Sequence, residues 1–259
     1  MTLLHVFILS IIEGITEFLP ISSTAHLQLA EKVLSIPPTD FVKSFTIIIQ
    51  VGALLGTALY ILQKRDTFDL NWDMAKNIAL SCVPTLVIGF VLYTLVKGYF
   101  FGNFALIAWA LIIGGLIMMI ADWYAKKHFH KRPIEKKEIT LKEGIIFGFA
   151  QALAVIPGVS RSGAVLIAGY FGNVEKKSLA QFSFLIGLPI VFLASVYDVL
   201  KSNISFSSHE IILTIIGVGI SGVFSYLFAG VFLKLIAKYS LTLFAWYRIV
   251  VGVVILFLL

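Results

Sequence analysis

Two glutamates four residues apart, Glu13 and Glu17, open the stretch EGITEFLPISSTAHL (13–27), and Ser22, Ser23, Thr24 and His26 follow them. On a helix an i, i+4 pair shares one face, with Cβ atoms about 5–6 Å apart. Two carboxylates at that spacing repel each other unless a cation neutralises them. A hard divalent ion, Mg2+ or Ca2+, takes oxygen ligands of this kind. The alternative is a structural pair hydrogen-bonded to neighbouring helices; the hydroxyl-rich run beside it favours a site. Proline removes a backbone donor and ends a helix, so Ser22, Ser23 and Thr24 open a new one after Pro20. Hydroxyls there are either caps or part of a helix N-terminus that binds phosphate through free N–H groups. His26 lies about one turn beyond Ser23, where an imidazole can serve as base, acid or nucleophile.

A second polar cluster, PGVSRSG (157–163), holds Ser160, Arg161 and Ser162 between Gly158 and Gly163. The planar guanidinium fork suits a phosphate better than lysine's point charge does. The two glycines let backbone approach a ligand closely. A packing arginine paired to a carboxylate is the plainer alternative. Gly14, Pro20 and Pro157 read as backbone support, and Gln151 as an additional polar candidate. Arg248, in the last apolar stretch, has no polar cluster around it in sequence. It reads as a partner for a carbonyl or for Asp122, and Arg248→Lys is expected to be nearly silent.

These groups belong to a chain of 259 residues that is 59% hydrophobic and 13% charged; soluble domains carry about 45–50% apolar and about 25% charged residues. A water-facing surface cannot be made from what remains, so the chain is expected to be an integral membrane protein, one helical bundle in the bilayer. The opening MTLLHVFILSII lacks a basic n-region and a small-residue cleavage site, so no removable signal peptide is expected. A single cysteine, Cys82, excludes an internal disulfide and a cysteine-based metal site. The 20 Lys and Arg against 14 Asp and Glu do not point to nucleic acid, and no such partner is expected.

Six stretches, at about 41–63, 74–96, 104–124, 178–200, 209–233 and 242–259, approach the ~20 residues a spanning helix needs. Residues 2–34 and 143–173 are also apolar, but each is interrupted by a proline and then hydroxyl-rich sequence. Broken backbone is tolerated in a membrane only where protein buries it or it lines a wet cavity. Both segments therefore read as re-entrant hairpins, two half-helices joined at a polar tip. With that topology Lys64, Arg65, Lys76, Lys126, Lys127, Lys131, Arg132, Lys136, Lys137, Lys142, Lys176, Lys177, Lys234 and Lys238 fall on one side. Only Lys32, Lys43, Lys97 and Lys201 fall on the other. The positive-inside rule makes the first side cytoplasmic and places both termini outside.

The halves resemble each other. IIEGITE (11–17) lines up with IIFGFAQ (145–151); Pro20 then matches Pro157 at an offset of 137, and KSFTIII (43–49) matches AQFSFLI (180–186) at the same offset. The expected fold is all-α and polytopic, six transmembrane helices plus two re-entrant hairpins in an inverted-topology repeat. The first repeat covers 1–124, a basic cytoplasmic linker 125–142, and the second repeat 143–259. Inverted repeats with broken helices place their sites where the breaks meet near the midplane, so the two tips should meet. Carboxylates, hydroxyls, an imidazole and an arginine in one cavity fit phosphoryl transfer, with a metal and an arginine holding charge while a hydroxyl or imidazole attacks phosphorus. Burial in a membrane implies that the phosphate arrives on a lipid. The rival reading is a transporter or flippase of the lipid carrier, because inverted repeats are also transporter architecture.

The two motifs, EGITEFLPISSTAHL and GFAQALAVIPGVSRSGAV, resemble those of the undecaprenyl-diphosphatase family, the bacitracin-resistance type of bacterial membrane phosphatase, and the resemblance covers nearly the whole chain. It implies hydrolysis of undecaprenyl diphosphate to the monophosphate and inorganic phosphate, recycling the carrier for peptidoglycan synthesis and conferring bacitracin resistance. It also implies a divalent-metal requirement and a bacterial plasma-membrane location, with the site open to the outer face. Carried over by motif, Glu13 and Glu17 become the acidic pair and Ser23 and His26 the candidates for attack and proton transfer, with Ser23 favoured as nucleophile and His26 as its base. Arg161 with Ser160 becomes the phosphate clamp. Ala25 departs from the family pattern, which usually has glycine there. A homodimer is compatible with all of this.

Overall fold

The structure, a computed structural model, describes residues 1–64, 71–100, 102–129, 138–172, 174–201 and 206–258. Arg65 and the middle of the basic linker, 130–137, including Lys131, Arg132, Lys136 and Lys137, lie outside the described residues. Every regular element described is helical. Helix α1 (Leu3–Thr16) starts on a reciprocal cap in which Thr2 and His5 satisfy each other's backbone N–H. It stops just short of Pro20, and α2 (Ser23–Val33) begins after the break. The same construction recurs at α6 (Leu141–Ala152), opened by a Thr140–Glu143 capping box. A short 3-10 turn, Leu153–Val155, and Pro157 then separate it from α7 (Arg161–Phe171). The two expected hairpins are these pairs. Capping boxes supply partners for first-turn N–H groups that a helix cannot satisfy by itself.

Between and after the pairs run α3 (Asp40–Lys64), α4 (Trp72–Leu95), α5 (Phe104–Phe129), α8 (Lys176–Lys201), α9 (Ser208–Lys238) and α10 (Leu241–Phe257). Helices α3, α4, α5, α8 and α9 are long and apolar enough to cross a bilayer. The expected sixth span is α10, whose 17 residues stand at the short end of the usual range of about 17–25. Outward faces are greasy, as with Leu80 and Val83 on α4 and Val223, Leu227 and Val231 on α9. Such faces suit lipid.

Helix α1 packs on α9, and α6 packs on α4, so the first half-helix of each hairpin lies against a helix from the other half of the chain. Helix α3 also crosses α9 closely, because Gly52 and Gly56 present no side chain there. A Cβ at either would run into the backbone of Val218 or Gly222. Small residues spaced by four let membrane helices approach and share polar contacts. Here Ser221 Oγ donates to Ile49 O at 2.7 Å, and Ser225 to Ala53 O.

Both chain ends gather at one end of the bundle. Lys32 Nζ donates to Leu258 O at 2.9 Å and lies over the Phe104 ring, and Met1 packs with Ile36, Phe41 and Phe206. At the opposite end Lys126 pairs with Asp122 at 2.7 Å, Thr242 donates to the same carboxylate, and Lys176 donates to Tyr239 O.

Candidate functional site

The chain turns sharply just before each inner half-helix. Ser22 (φ 70°) precedes α2 and Ser160 (φ 73°) precedes α7, both in the left-handed region that non-glycine residues avoid. Gly158 (φ 99°) helps make the second turn. Strained backbone of this kind costs on the order of 1–3 kcal/mol per residue and clusters at ligand sites. The strained serines are 138 positions apart, as are the helix starts Ser23 and Arg161. The tips therefore align one residue later than the offset of 137 read from Pro20 and Pro157, because the second tip uses one more residue to turn. Ser23 and Arg161 consequently hold equivalent first positions on opposed half-helices.

Glu17 joins them. Ser23 Oγ donates to Glu17 Oε2 at 2.5 Å, and the Arg161 guanidinium pairs with Glu17 Oε1. Arg161 also donates to Gly187 O on α8 at 3.3 Å. Ser162 Oγ donates across to Leu19 O at 3.2 Å, so the second tip is tied to the backbone of the first. Ser160 Oγ accepts from Gly163 N at 3.2 Å and is an ordinary cap. Ser22 makes no such bond. Gly14 lets α1 approach α9, since a Cβ there would meet Ser221 O. One turn before Glu17 on α1, Glu13 is fully buried and neither carboxylate oxygen has a hydrogen-bond partner among the described residues. Gln151, at the end of α6, is equally buried and its amide equally unpartnered.

A cavity of about 750 Å3 starts at this cluster, lined there by Glu17, Ser22, Ser23, Thr24, Ser160 and Arg161, with Gln151, Pro157 and Gly158 beside them. Its walls are then apolar side chains of α4 and α8, among them Leu86, Phe90, Ile190 and Leu193. The far end reaches Lys43, Tyr93 and Asp198, where buried Asp198 accepts from Ser44 at 2.5 Å and from Tyr93 at 2.7 Å. That end is the one where the chain termini gather.

His26 is not where the sequence put it. Its Nδ1 lies 2.8 Å from Ser22 O and its Nε2 2.8 Å from Tyr247 Oη, with the two rings stacked. A carbonyl only accepts, so Nδ1 carries the proton and Nε2 accepts from Tyr247. The ring turns about the helix axis toward α10 and does not line the cavity, while the Ser23 proton faces Glu17. His26 thus contacts Ser22 O and Tyr247, and the group that Ser23 Oγ meets is Glu17.

Of the two partners expected for Arg248, a carbonyl or Asp122, the structure shows the carbonyl, and the side chain is wholly buried. Its Nη1 donates to Pro20 O (3.2 Å) and Val159 O (2.9 Å), and Nη2 to Gly158 O (2.8 Å) and Ala110 O (3.1 Å). Nε reaches Leu111 O at 3.4 Å. One side chain thus satisfies carbonyls from both broken tips and from α5. A residue holding both tips cannot be exchanged silently.

Residues 6–254 match the family of the bacitracin resistance protein BacA. The chain belongs to that family. It is 40% identical over 256 residues to the undecaprenyl-diphosphatase of Aquifex aeolicus, covering 98% of this chain and 97% of that protein. Its identity to the undecaprenyl-diphosphatase of Bdellovibrio bacteriovorus is 38% over 259 residues, covering 100% and 97%. To that of Methanococcus aeolicus it is 35% over 256 residues, covering 99% and 98%. Both motifs fall inside the matched span of the BacA family. Ala25 packs with Ile107, Ala108 and Leu111 of α5. Its methyl group fills space beside the tip and leaves the Ser23–Glu17 contact in place.

Proposed function

We propose that this protein is a membrane phosphatase that hydrolyses undecaprenyl diphosphate to undecaprenyl phosphate and inorganic phosphate, returning the carrier to cell-wall synthesis. The single observation that carries the chemistry is the meeting of Ser23 and Arg161 on Glu17 at the deep end of a cavity whose walls beyond them are apolar side chains of α4 and α8. Apolar walls suit a polyprenyl tail. The opposed half-helix N-termini offer unsatisfied N–H groups and positive dipole ends to a diphosphate. Exchange of α1 and α6 between the halves supports the reading of 1–124 and 143–259 as an inverted pair joined by the linker 125–142.

In the proposed reaction Ser23 Oγ attacks the terminal phosphorus as Glu17 takes its proton. The bond to the bridging oxygen breaks, and undecaprenyl phosphate departs with the proton that Glu17 returns. Water then attacks the phosphoserine as Glu17 accepts its proton; the P–Oγ bond breaks, Glu17 returns that proton to Ser23 Oγ, and inorganic phosphate leaves. A nucleophile within hydrogen-bond reach of a base is the arrangement such covalent catalysis needs. Arg161, released from Glu17 as phosphate enters, would hold the transferring oxygens bidentately. The residues also fit a divalent metal. Among the described residues no cluster of three or more His, Cys, Asp or Glu gathers, so the donors are the Glu13 and Glu17 carboxylates and neighbouring hydroxyls. The unpartnered Glu13 oxygens are hard ligands of the kind Mg2+ or Ca2+ takes. A bound ion would offset negative charge on the phosphoryl oxygens.

The excess of basic residues at the end opposite the termini supports a multi-pass orientation in the plasma membrane with both termini outside and the cavity opening outward. A carrier of the same lipid would need binding groups but no serine–glutamate pair. Purified protein in detergent, where transport cannot be scored, should release phosphate from undecaprenyl diphosphate. Binding of the lipid without phosphate release would replace the phosphatase with a transporter.

A further inference from the structure

Gln151 has no task in the chemistry above. Its side chain is fully buried, and neither Nε2 nor Oε1 has a hydrogen-bond partner among the described residues. Buried amides are almost always paired. One that lines a ligand cavity with both ends open is prepared for a ligand. Other polar residues lining the cavity are engaged elsewhere: Thr85 Oγ donates to Gly148 O at 2.7 Å, one turn earlier on α6, and Arg161 and Ser23 both face Glu17.

Its place in the chain says which part of a ligand it meets. Aligning IIEGITE with IIFGFAQ puts Gln151 opposite Glu17, so each half contributes one polar side chain near the end of its outer half-helix. Glu17 belongs to the end where Ser23 attacks. From Gln151 the chain passes into Ala154, Val155 and Ile156, which line the cavity as it turns apolar. Gln151 thus stands at the junction between polar tip and apolar wall. In a lipid diphosphate that junction is occupied by the phosphate joined to the tail. A neutral amide suits it: Nε2 can donate to a phosphoryl oxygen without adding a third carboxylate beside Glu13 and Glu17.

We propose that Gln151 is a specificity-determining residue whose amide binds the lipid-side phosphate of a diphosphate and thereby sets the terminal phosphorus opposite Ser23. The proposal rests on the diphosphatase reading. It makes the site a reader of two phosphates: Arg161 and the half-helix N-termini hold one, and Gln151 the other. A monophosphate, including the reaction's own lipid product, fills only one of these places.

The test compares wild type with Gln151→Leu and Gln151→Met, both close in volume and without an amide. Phosphate release from undecaprenyl diphosphate is measured in detergent with two inhibitors, methylenebisphosphonate and inorganic phosphate. Expected in both variants is a loss of about tenfold in bisphosphonate affinity, ~1.4 kcal/mol, with phosphate inhibition within about twofold of wild type and kcat/KM reduced to match the bisphosphonate loss. Equal weakening of both inhibitors, or no weakening of either, would assign Gln151 to packing and overturn the proposal. If wild type binds bisphosphonate by calorimetry but releases no phosphate, the diphosphatase reading falls, and the variants' calorimetric affinities still decide whether Gln151 reads the second phosphate.

Discussion

Replacing Arg248 by lysine should damage the enzyme although it preserves the charge and leaves the cavity lining intact. The guanidinium donates five N–H groups to Pro20, Ala110, Leu111, Gly158 and Val159 at 2.8–3.4 Å. An ammonium has three protons, so at least two of these contacts are lost. Each hydrogen bond from a charged donor is worth about 1.5–3 kcal/mol, so the loss is about 3–6 kcal/mol. A kilocalorie lowers the unfolding midpoint of a chain of roughly this size by about 2–4 °C. The more direct consequence is at the tips, because Pro20 lies three residues before Ser23 and Val159 two before Arg161. Misplacing reacting groups by about 1 Å can cost about 10²-fold. Arg248→Lys should therefore lower kcat at least about tenfold and lower the thermal midpoint in detergent, both measured on purified protein. A variant with kcat within about twofold of wild type and an unchanged midpoint would refute the view that this side chain holds the two tips together.

Arg161→Lys should lower kcat/KM for undecaprenyl diphosphate at least about tenfold, since lysine keeps the charge but loses the two-pronged contact to phosphate; full retention of activity would remove Arg161 from the phosphate. Glu13→Gln should raise the Mg2+ or Ca2+ concentration needed for half-maximal activity after chelation. An unchanged metal titration would return Glu13 to a packing role. His26→Gln should cost far less activity than Glu17→Gln, and label from the terminal phosphate, where it accumulates on enzyme quenched during turnover, should resist acid as a serine ester does. Label that survives alkali but not acid would put His26 back in the reaction.

Much of the framework was legible because it is written in hydrophobic length and in prolines. Pro20 and Pro157 interrupt two apolar runs, and the helices do stop short of them. The long runs became α3, α4, α5, α8 and α9. The one-residue slip at the tips was not legible, since the extra turn around Gly158 and Ser160 depends on backbone conformation that residue types barely signal. The partner of His26 was not legible, because helix spacing tells how far along a side chain lies but not which group captures it. Its captor, Tyr247, is 221 residues away in sequence. Arg248 was legible as a partner for a carbonyl, though not as a side chain that reaches both tips. An arginine inside a span must find acceptors, and broken helices are where a membrane bundle has spare carbonyls. Asp198 likewise lies within an apolar span, and its contacts with Ser44 and Tyr93 at the cavity's far end follow from the same need for partners.

The most direct test of the chemistry is a double-mutant cycle on Ser23 and Glu17, read as phosphate release from undecaprenyl diphosphate in detergent. If Ser23 attacks while Glu17 takes its proton, the two act as one unit and their losses cannot add. Ser23→Ala and Glu17→Gln should each reduce kcat by at least about 10², the scale of an acid–base contribution. The double mutant should then be no slower than the worse single mutant by more than about twofold. Losses that multiply in the double mutant would show that the two residues serve separate steps, and would contradict the serine–glutamate mechanism.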